Sequence, residues 1–102
     1  MKRYVYHSPF IGNDRPRVTV VGLLDNDGTM SFGVARASEK DMFSKRIGRT
    51  IAEGRATKKR NSEDNVRFSN TNAKEVIDDV FYTTAKRLSV MVEENPNAIQ
   101  RF

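Results

Sequence analysis

The chain has 102 residues and no cysteine, so it can form one domain with a modest core but neither disulfides nor thiolate metal sites. Hydrophobic residues make up 37% of the sequence and charged residues 30%, a balance typical of a polar, folded domain. The longest apolar run, Val18–Leu24, is far shorter than the ~20 residues that a membrane-spanning helix needs.

The amino-terminal third predicts a small sheet over residues 3–36. Tyr4-Val5-Tyr6 is expected to form a short first strand, and residues 12–16 are typical of a loop. Residues 17–24 and 29–36 each alternate between two sets of side chains, as strands do. Between them, Asp25-Asn26-Asp27-Gly28 predicts a type I turn that closes with a left-handed glycine. The two segments therefore predict a β-hairpin.

A basic helix is predicted over residues 39–57, after Ser38, which is a good N-cap. At 100° per residue, Phe43, Ile47 and Ile51 form one apolar stripe with basic side chains on the opposite side. We therefore expect the stripe to pack on the sheet and the basic side to face outward.

Two glycines interrupt this helix, and each costs ~1 kcal/mol relative to alanine. Gly54 projects on the side of the apolar stripe, so we assign it to close packing. Gly48 lies between the stripe and the basic side, and its role is left open between packing and contact with a partner.

The carboxyl-terminal part predicts a basic tail and linker over residues 58–65, a short strand near Val66-Arg67-Phe68 and a second helix over residues 73–94. Asn72 is expected to cap that helix and Pro96 to stop it. Its apolar face consists of Ala73, Ile77, Val80, Phe81, Thr84, Leu88 and Met91.

Together these elements predict a single α+β domain, residues 1–102, of order β-β-β-α-(β)-α. Both helices are expected to pack on one face of a small antiparallel sheet. The other face would then expose Val21 and Leu23 as an apolar patch, and such patches usually mark contacts. The sequence therefore also allows a homo-oligomer.

Positive charge is concentrated in residues 36–60, which carry nine Lys/Arg and three acids, a net charge of +6 against +5 for the whole chain. Charge gathered in this way favours a phosphate-backbone partner, and arginine suits bidentate phosphate contacts. The alternative is a solvated face or one that binds an acidic protein. The candidate nucleic-acid-binding residues are Lys45, Arg46, Arg49, Arg55, Lys58, Lys59 and Arg60.

No set of positioned acids, bases or nucleophiles is recognisable, so the sequence predicts no enzyme, no catalytic residue, no metal site and no cofactor. The single histidine, His7, is expected to be a surface or hydrogen-bonded residue. Tyr4 and Tyr6 alternate on the first strand and are either half-buried sheet residues or a surface for base stacking.

Residues 33–56 resemble a signature of small proteins from tailed bacteriophages, in which a glycine-containing strand is followed by Lys-Asp-x-Phe-Ser-Lys-x-x-Gly-Arg-x-Ile-Ala-x-Gly-Arg-Ala. The matching residues are Lys40, Asp41, Phe43, Ser44, Lys45, Gly48, Arg49, Ile51, Ala52, Gly54, Arg55 and Ala56. Some small basic phage proteins are RNA-binding inhibitors of host defence nucleases, including the RNase toxin of type III toxin–antitoxin systems. The resemblance thus implies a phage counter-defence protein with RNA as the preferred partner.

The sequence leaves three functions open. The first is a non-enzymatic RNA-binding accessory protein that withholds RNA from a host nuclease. The second is a direct protein inhibitor of a host enzyme, acting without nucleic acid, and the third is a DNA-binding regulator with the basic helix in a major groove. The amino end has no apolar core of signal-peptide length, so we expect a cytoplasmic protein, in the host cytoplasm if it is phage-encoded.

Overall fold

The computed structural model describes residues 1–8, 18–37, 45–58, 65–69, 73–95 and 97. In chain order, the elements are the strands β1 (Lys2–His7), β2 (Val18–Leu24) and β3 (Thr29–Arg36), the helix α1 (Lys45–Lys58), the strand β4 (Val66–Arg67) and the helix α2 (Lys74–Glu94). The predicted α+β class and the order of elements are confirmed. Ser38 and Pro96, which were expected to bound the helices, and Phe43, which was expected in the apolar stripe, lie outside the described residues. The expectation that Asn72 caps the second helix is wrong, because Ala73 occupies the N-cap position of α2.

The hairpin between β2 and β3 is confirmed. Asp25 N–H donates to the Thr29 carbonyl at 2.9 Å, and Gly28 N–H donates to the Asp25 carbonyl at 3.0 Å. Gly28 has φ 88°, the left-handed conformation that favours glycine. Its carbonyl accepts a hydrogen bond from Phe68 N–H at 2.8 Å, which fixes the end of β4 beside β3. The turn therefore joins three strands rather than two.

The two helices lie on opposite faces of a four-stranded antiparallel sheet of order β1-β2-β3-β4. Alternate residues of β2 divide the faces: Val18 and Val20 join the core under α2, whereas Val21 and Leu23 join a smaller core under α1. The prediction that both helices pack on one face is therefore wrong. Since Val21 and Leu23 are buried, the predicted apolar patch is absent, and the predicted oligomer loses the observation that motivated it.

α2 packs on the sheet with large apolar side chains, as predicted. Phe81 and Leu88 are buried, and the buried set also includes Ala85, Ser89 and Val92. The Phe81 ring stacks on Phe32 with ring centroids 6.3 Å apart and contacts Tyr4 at 5.4 Å. An added Cβ at Gly22 would lie 2.8 Å from Phe81 Cδ1, so this glycine makes room for the ring.

α1 packs on the sheet with small residues, which corrects its predicted orientation. Ala52 and Ala56 are fully buried, whereas Ile47 and Ile51 are 60% and 43% exposed. The reason lies in β3, where a Cβ at Gly33 would overlap the Ala52 carbonyl and the Ala56 amide. The helix backbone lies so close to the strand that only small side chains fit between them.

Candidate nucleic-acid interface

α1 and α2 give the two faces of the protein opposite charge. α1 contains five Lys/Arg and one Glu, a net charge of +4. α2 contains three Lys/Arg and five Asp/Glu, a net charge of −2. Because the sheet lies between the helices, the positive charge of α1 is separated from the acidic helix by the whole thickness of the domain.

The predicted binding residues on α1 differ in their exposure. Lys45, Arg46 and Lys58 are exposed, and Arg49 is half-buried. Lys59 and Arg60, which belong to the predicted basic tail, lie outside the described residues. Three of the predicted cations therefore stand on the outer side of the helix, where a ligand can reach them. We name the outer side of α1, with Lys45, Arg46, Arg49 and Lys58, the basic face.

Arg55 differs from the other predicted residues because it has a partner within the fold. Its guanidinium Nη1 donates to the Val34 carbonyl on β3 at 2.6 Å, and the side chain is half-buried. Hydrogen bonds from a charged donor are stronger than neutral ones. Arg55 thus helps to attach α1 to the sheet, and we leave it out of the basic face.

Glu53 is the single acidic residue of α1, and a cation from β1 pairs with it. Arg3 Nη1 lies 2.9 Å from Glu53 Oε2, and the two side chains are 49% and 40% exposed. An exposed pair of this kind contributes about 0–1 kcal/mol to stability. Its larger effect is on the charge of the surface, because Arg3 neutralises the one carboxylate of the helix. Sequence reasoning missed this pair, although the alternation of β1 places Arg3 on the α1 side.

His7 is a second residue that sequence reasoning left out of the site. It ends β1, is half-buried, and its Nδ1 is hydrogen-bonded to Thr19 Oγ1 at 2.9 Å. Burial lowers the pKa of His7 from its usual 6.5, and the positive charges of Lys45 and Arg49 lower it further. His7 is therefore hydrogen-bonded, as expected, but it also lies in the electrostatic field of the basic face.

The two glycines of α1 differ in their surroundings, which decides the role of Gly48 that the sequence left open and corrects the role assigned to Gly54. An added Cβ at Gly48 would lie 2.5 Å from Thr19 Oγ1, so Gly48 permits close packing on β2. Gly54 is exposed, and among the described residues no atom other than those of its chain neighbours and the helix's own backbone lies within 4 Å of an added Cβ there. The assignment of Gly54 to packing is wrong because the helix is rotated relative to the prediction.

The tyrosines of β1 belong to the core under α2. Tyr6 is buried and makes an edge contact with Tyr82, with ring centroids 5.5 Å apart and an interplanar angle of 84°. Tyr4 is half-buried against Phe81. Of the two hypotheses for these tyrosines, the one that makes them sheet residues packed in the fold is correct. α2 covers the face of the sheet on which bases would have stacked.

Comparison with protein-family models, with curated proteins and with solved structures finds no match to this chain. Among the described residues, no helix has the length and apolar character needed to cross a bilayer. Within the same ranges, His, Asp and Glu form no group of three that could hold a metal ion. The site is therefore interpreted from the chemistry of its own residues.

Proposed function

We propose that the protein binds nucleic acid through the basic face of α1, with RNA as the preferred partner. The observation that carries the proposal is the charge difference between the helices, +4 on α1 and −2 on α2. A uniformly charged surface would favour only solubility, whereas charge confined to one face favours a polyanion that lies along that face.

The length of the helix fits contacts with several phosphates. The 14 residues of α1 extend over about 21 Å at 1.5 Å per residue. The basic face supplies four cations over that length, and Lys59 and Arg60 follow directly in sequence. Phosphate contacts of this kind orient a strand without reading its sequence. We therefore propose binding with little dependence on base sequence.

The biological role that we propose is occlusion. RNA that lies along α1 would be inaccessible to a nuclease. Protection of RNA in this way is the activity implied by the resemblance to phage counter-defence proteins. RNA is preferred over DNA on that resemblance alone, so each binding measurement should be made with RNA and DNA oligomers of the same sequence. A DNA-binding regulator would bind the duplex DNA more tightly than the RNA.

A pair of matched triple variants tests the proposal. The α1 variant removes three charges from α1 through Lys45→Gln, Arg46→Gln and Lys58→Gln. The α2 variant removes three exposed charges from α2 through Lys74→Gln, Lys86→Gln and Arg87→Gln. Both variants have the same net charge. We expect the α1 variant to lose at least tenfold in affinity for an oligouridylate at 100 mM salt and the α2 variant to lose less than threefold. Equal losses would mean that net charge, and not the basic face, determines binding.

A second candidate function is docking of an acidic protein, and the exposed apolar residues of α1 favour it. Ile47 and Ile51 are 60% and 43% exposed, and the exposed Gly54 lies beside them on the helix surface. An apolar centre with a charged rim is typical of protein interfaces. An exposed glycine inside a helix costs about 1 kcal/mol, which a partner that approaches the helix backbone would offset.

Inhibition of a toxin RNase separates the two candidates. If a protein surface docks on α1, Ile47→Ser with Ile51→Ser should abolish inhibition while the affinity for oligouridylate changes little. If RNA occlusion is the mechanism, the α1 charge variant should abolish inhibition and the isoleucine variant should retain it. Gly54→Ala should raise the stability by about 0.5–1 kcal/mol through helix propensity and should weaken inhibition only if a partner contacts the backbone there.

A further inference from the structure

Exposed apolar side chains are concentrated on the two helices. Among the described residues, six large hydrophobic side chains are exposed, and five of them belong to α1 or α2. Single exposed hydrophobic residues are common on protein surfaces, so their arrangement matters more than their number. These five are Ile47 and Ile51 on α1, and Val76, Tyr82 and Val90 on α2. Each face of the protein therefore carries apolar residues outside the core.

On α1 the exposed apolar residues form a line that ends in positive charge at both sides. Ile47, Ile51 and Gly54 follow one another at intervals of four and three residues, the spacing of neighbours on one side of a helix. Arg46 and Lys58 are exposed at the two ends of this line, about 18 Å apart along the helix at 1.5 Å per residue. We name these five residues the outer stripe of α1.

On α2 a similar line ends in negative charge. Val76, Thr83 and Val90 recur every seven residues, which is about two helical turns, so they share one exposed side. Asp79 follows Val76 by three residues and Glu94 follows Val90 by four, so both lie beside the line. These two exposed acids are about 22 Å apart along the helix at 1.5 Å per residue. We name these five residues the outer stripe of α2.

The two outer stripes complement each other in charge and in length. The cations at the ends of one and the acids at the ends of the other have similar separations, so both pairs can meet when the helices lie side by side. Between its acids α2 carries Lys86 and Arg87, and the middle of α1 offers them the uncharged Thr50 and Gly54. The net charges of +4 and −2 attract, whereas two copies of α1 repel each other.

We propose that the outer stripe of α1 in one copy docks on the outer stripe of α2 in a second copy. Because α1 and α2 cover opposite faces of the sheet, the docked pair still has one stripe of each kind to offer. Such head-to-tail contacts continue beyond a dimer. The contact needs no nucleic acid. It rests on the proposed function in one respect, which is that RNA and the second copy use the same side of α1 and therefore exclude each other.

Sedimentation velocity of the protein without nucleic acid tests the contact. At 0.1 M NaCl we expect the average mass to increase with concentration and to pass that of a dimer below 1 mM protein. At 1 M NaCl we expect a monomer, because the Debye length falls from about 10 Å to about 3 Å. A monomer at every concentration up to 1 mM in 0.1 M NaCl would overturn the proposal, and so would a dimer that grows no further.

Two neighbouring acids of α2 provide a matched pair of variants. Asp79→Lys reverses a charge of the outer stripe and should weaken association by about tenfold or more, because like charges then face each other. Asp78→Lys makes the same change at an exposed residue that points about 100° away around the helix, and it should weaken association less than about threefold. Equal effects of the two variants would overturn the assignment to this side of α2.

An exchange of charge between the stripes tests the pairing itself. The variant with Arg46→Glu and Lys58→Glu and the variant with Asp79→Lys and Glu94→Lys should each be monomeric, because their two stripes have charges of the same sign. An equimolar mixture should associate again, since each variant supplies the charge that the other lacks. A mixture that stays monomeric would overturn the proposal.

A short oligouridylate separates this inference from the proposed function. It should dissociate the assemblies of the unmodified protein, because it occupies α1. If it binds a protein that is monomeric at every concentration, the contact between copies is overturned and RNA binding stands. If the copies associate and the oligouridylate neither binds nor dissociates them, RNA binding is overturned and the contact stands.

Discussion

The two helices cover the same sheet by different means. α2 fills its side of the sheet with large apolar residues, among them Phe81 and Leu88, and its helix surface is acidic. α1 places Ala52 and Ala56 against the sheet, and most of its longer side chains, basic and apolar alike, are exposed, with Arg55 as the exception that bonds to β3. Hydrophobicity determines which residues of α2 face the sheet, whereas small side-chain size determines which residues of α1 do.

This difference explains how one domain can be both stable and strongly basic on one side. Close contact between α1 and β3 buries the helix backbone over Gly33 and needs few side-chain atoms. The remaining positions of α1 are then free to carry cations without cost to the core. The larger core under α2 supplies most of the buried apolar surface, and the face under α1 is specialised for presenting charge.

The core under α2 should be the more sensitive to truncation. Phe81→Ala removes a buried ring that stacks on Phe32, and we expect a loss of about 3–5 kcal/mol in the free energy of unfolding, measured by urea denaturation. Val90→Ala, at a position of the same helix that is 48% exposed, is the control and should cost less than about 1 kcal/mol. A loss below 1 kcal/mol for Phe81→Ala would contradict the assignment of the main core to α2.

The core under α1 should instead be sensitive to added atoms. Gly33→Ala places a methyl group where it overlaps the backbone at Ala52 and Ala56, and we expect a loss of about 2–3 kcal/mol as the helix is displaced. Ser31→Ala, a buried position of the same strand that adds no volume, is the comparison. If Gly33→Ala is tolerated without loss, α1 does not pack on β3 as closely as described.

The smallest effect is expected on the outer side of α1. Ile47→Ala should change the free energy of unfolding by less than about 0.5 kcal/mol, because an exposed isoleucine contributes little and alanine has the higher helix propensity. The apolar stripe predicted from the sequence requires a loss of about 2–4 kcal/mol at the same position. Denaturation of this one variant therefore distinguishes the two orientations of the helix.

Local patterns in the sequence were sufficient for most of the fold. The hairpin follows from Gly28 and the alternation on either side of it, and the buried face of α2 follows from a strong period that includes Phe81 and Leu88. The two-sided burial of β2 could also have been predicted, because Val20 and Val21 are apolar neighbours that point to opposite faces.

The orientation of α1 could not be predicted in the same way. The periodicity of the sequence places Ile47 and Ile51 on the apolar side of the helix, but these residues are exposed. The depression at Gly33 accepts only small residues, and that glycine belongs to β3, a different element from the helix. The position of His7 was also beyond local patterns, since its hydrogen bond to Thr19 depends on the register between β1 and β2. Contacts between residues of different elements could therefore not be predicted from local sequence patterns, either in the core or at the candidate site.

The central claim is that the basic face of α1 binds the phosphates of a nucleic acid, and the salt dependence of affinity tests it most directly. Contacts with four to six phosphates of an oligouridylate predict that log K falls with log salt at a slope of about −3 to −4. The Lys45→Gln, Arg46→Gln, Lys58→Gln variant should reduce the magnitude of the slope by about 2, and the matched α2 variant should leave it unchanged. A slope near zero, or no binding at 50 mM salt to any nucleic acid, would contradict the account.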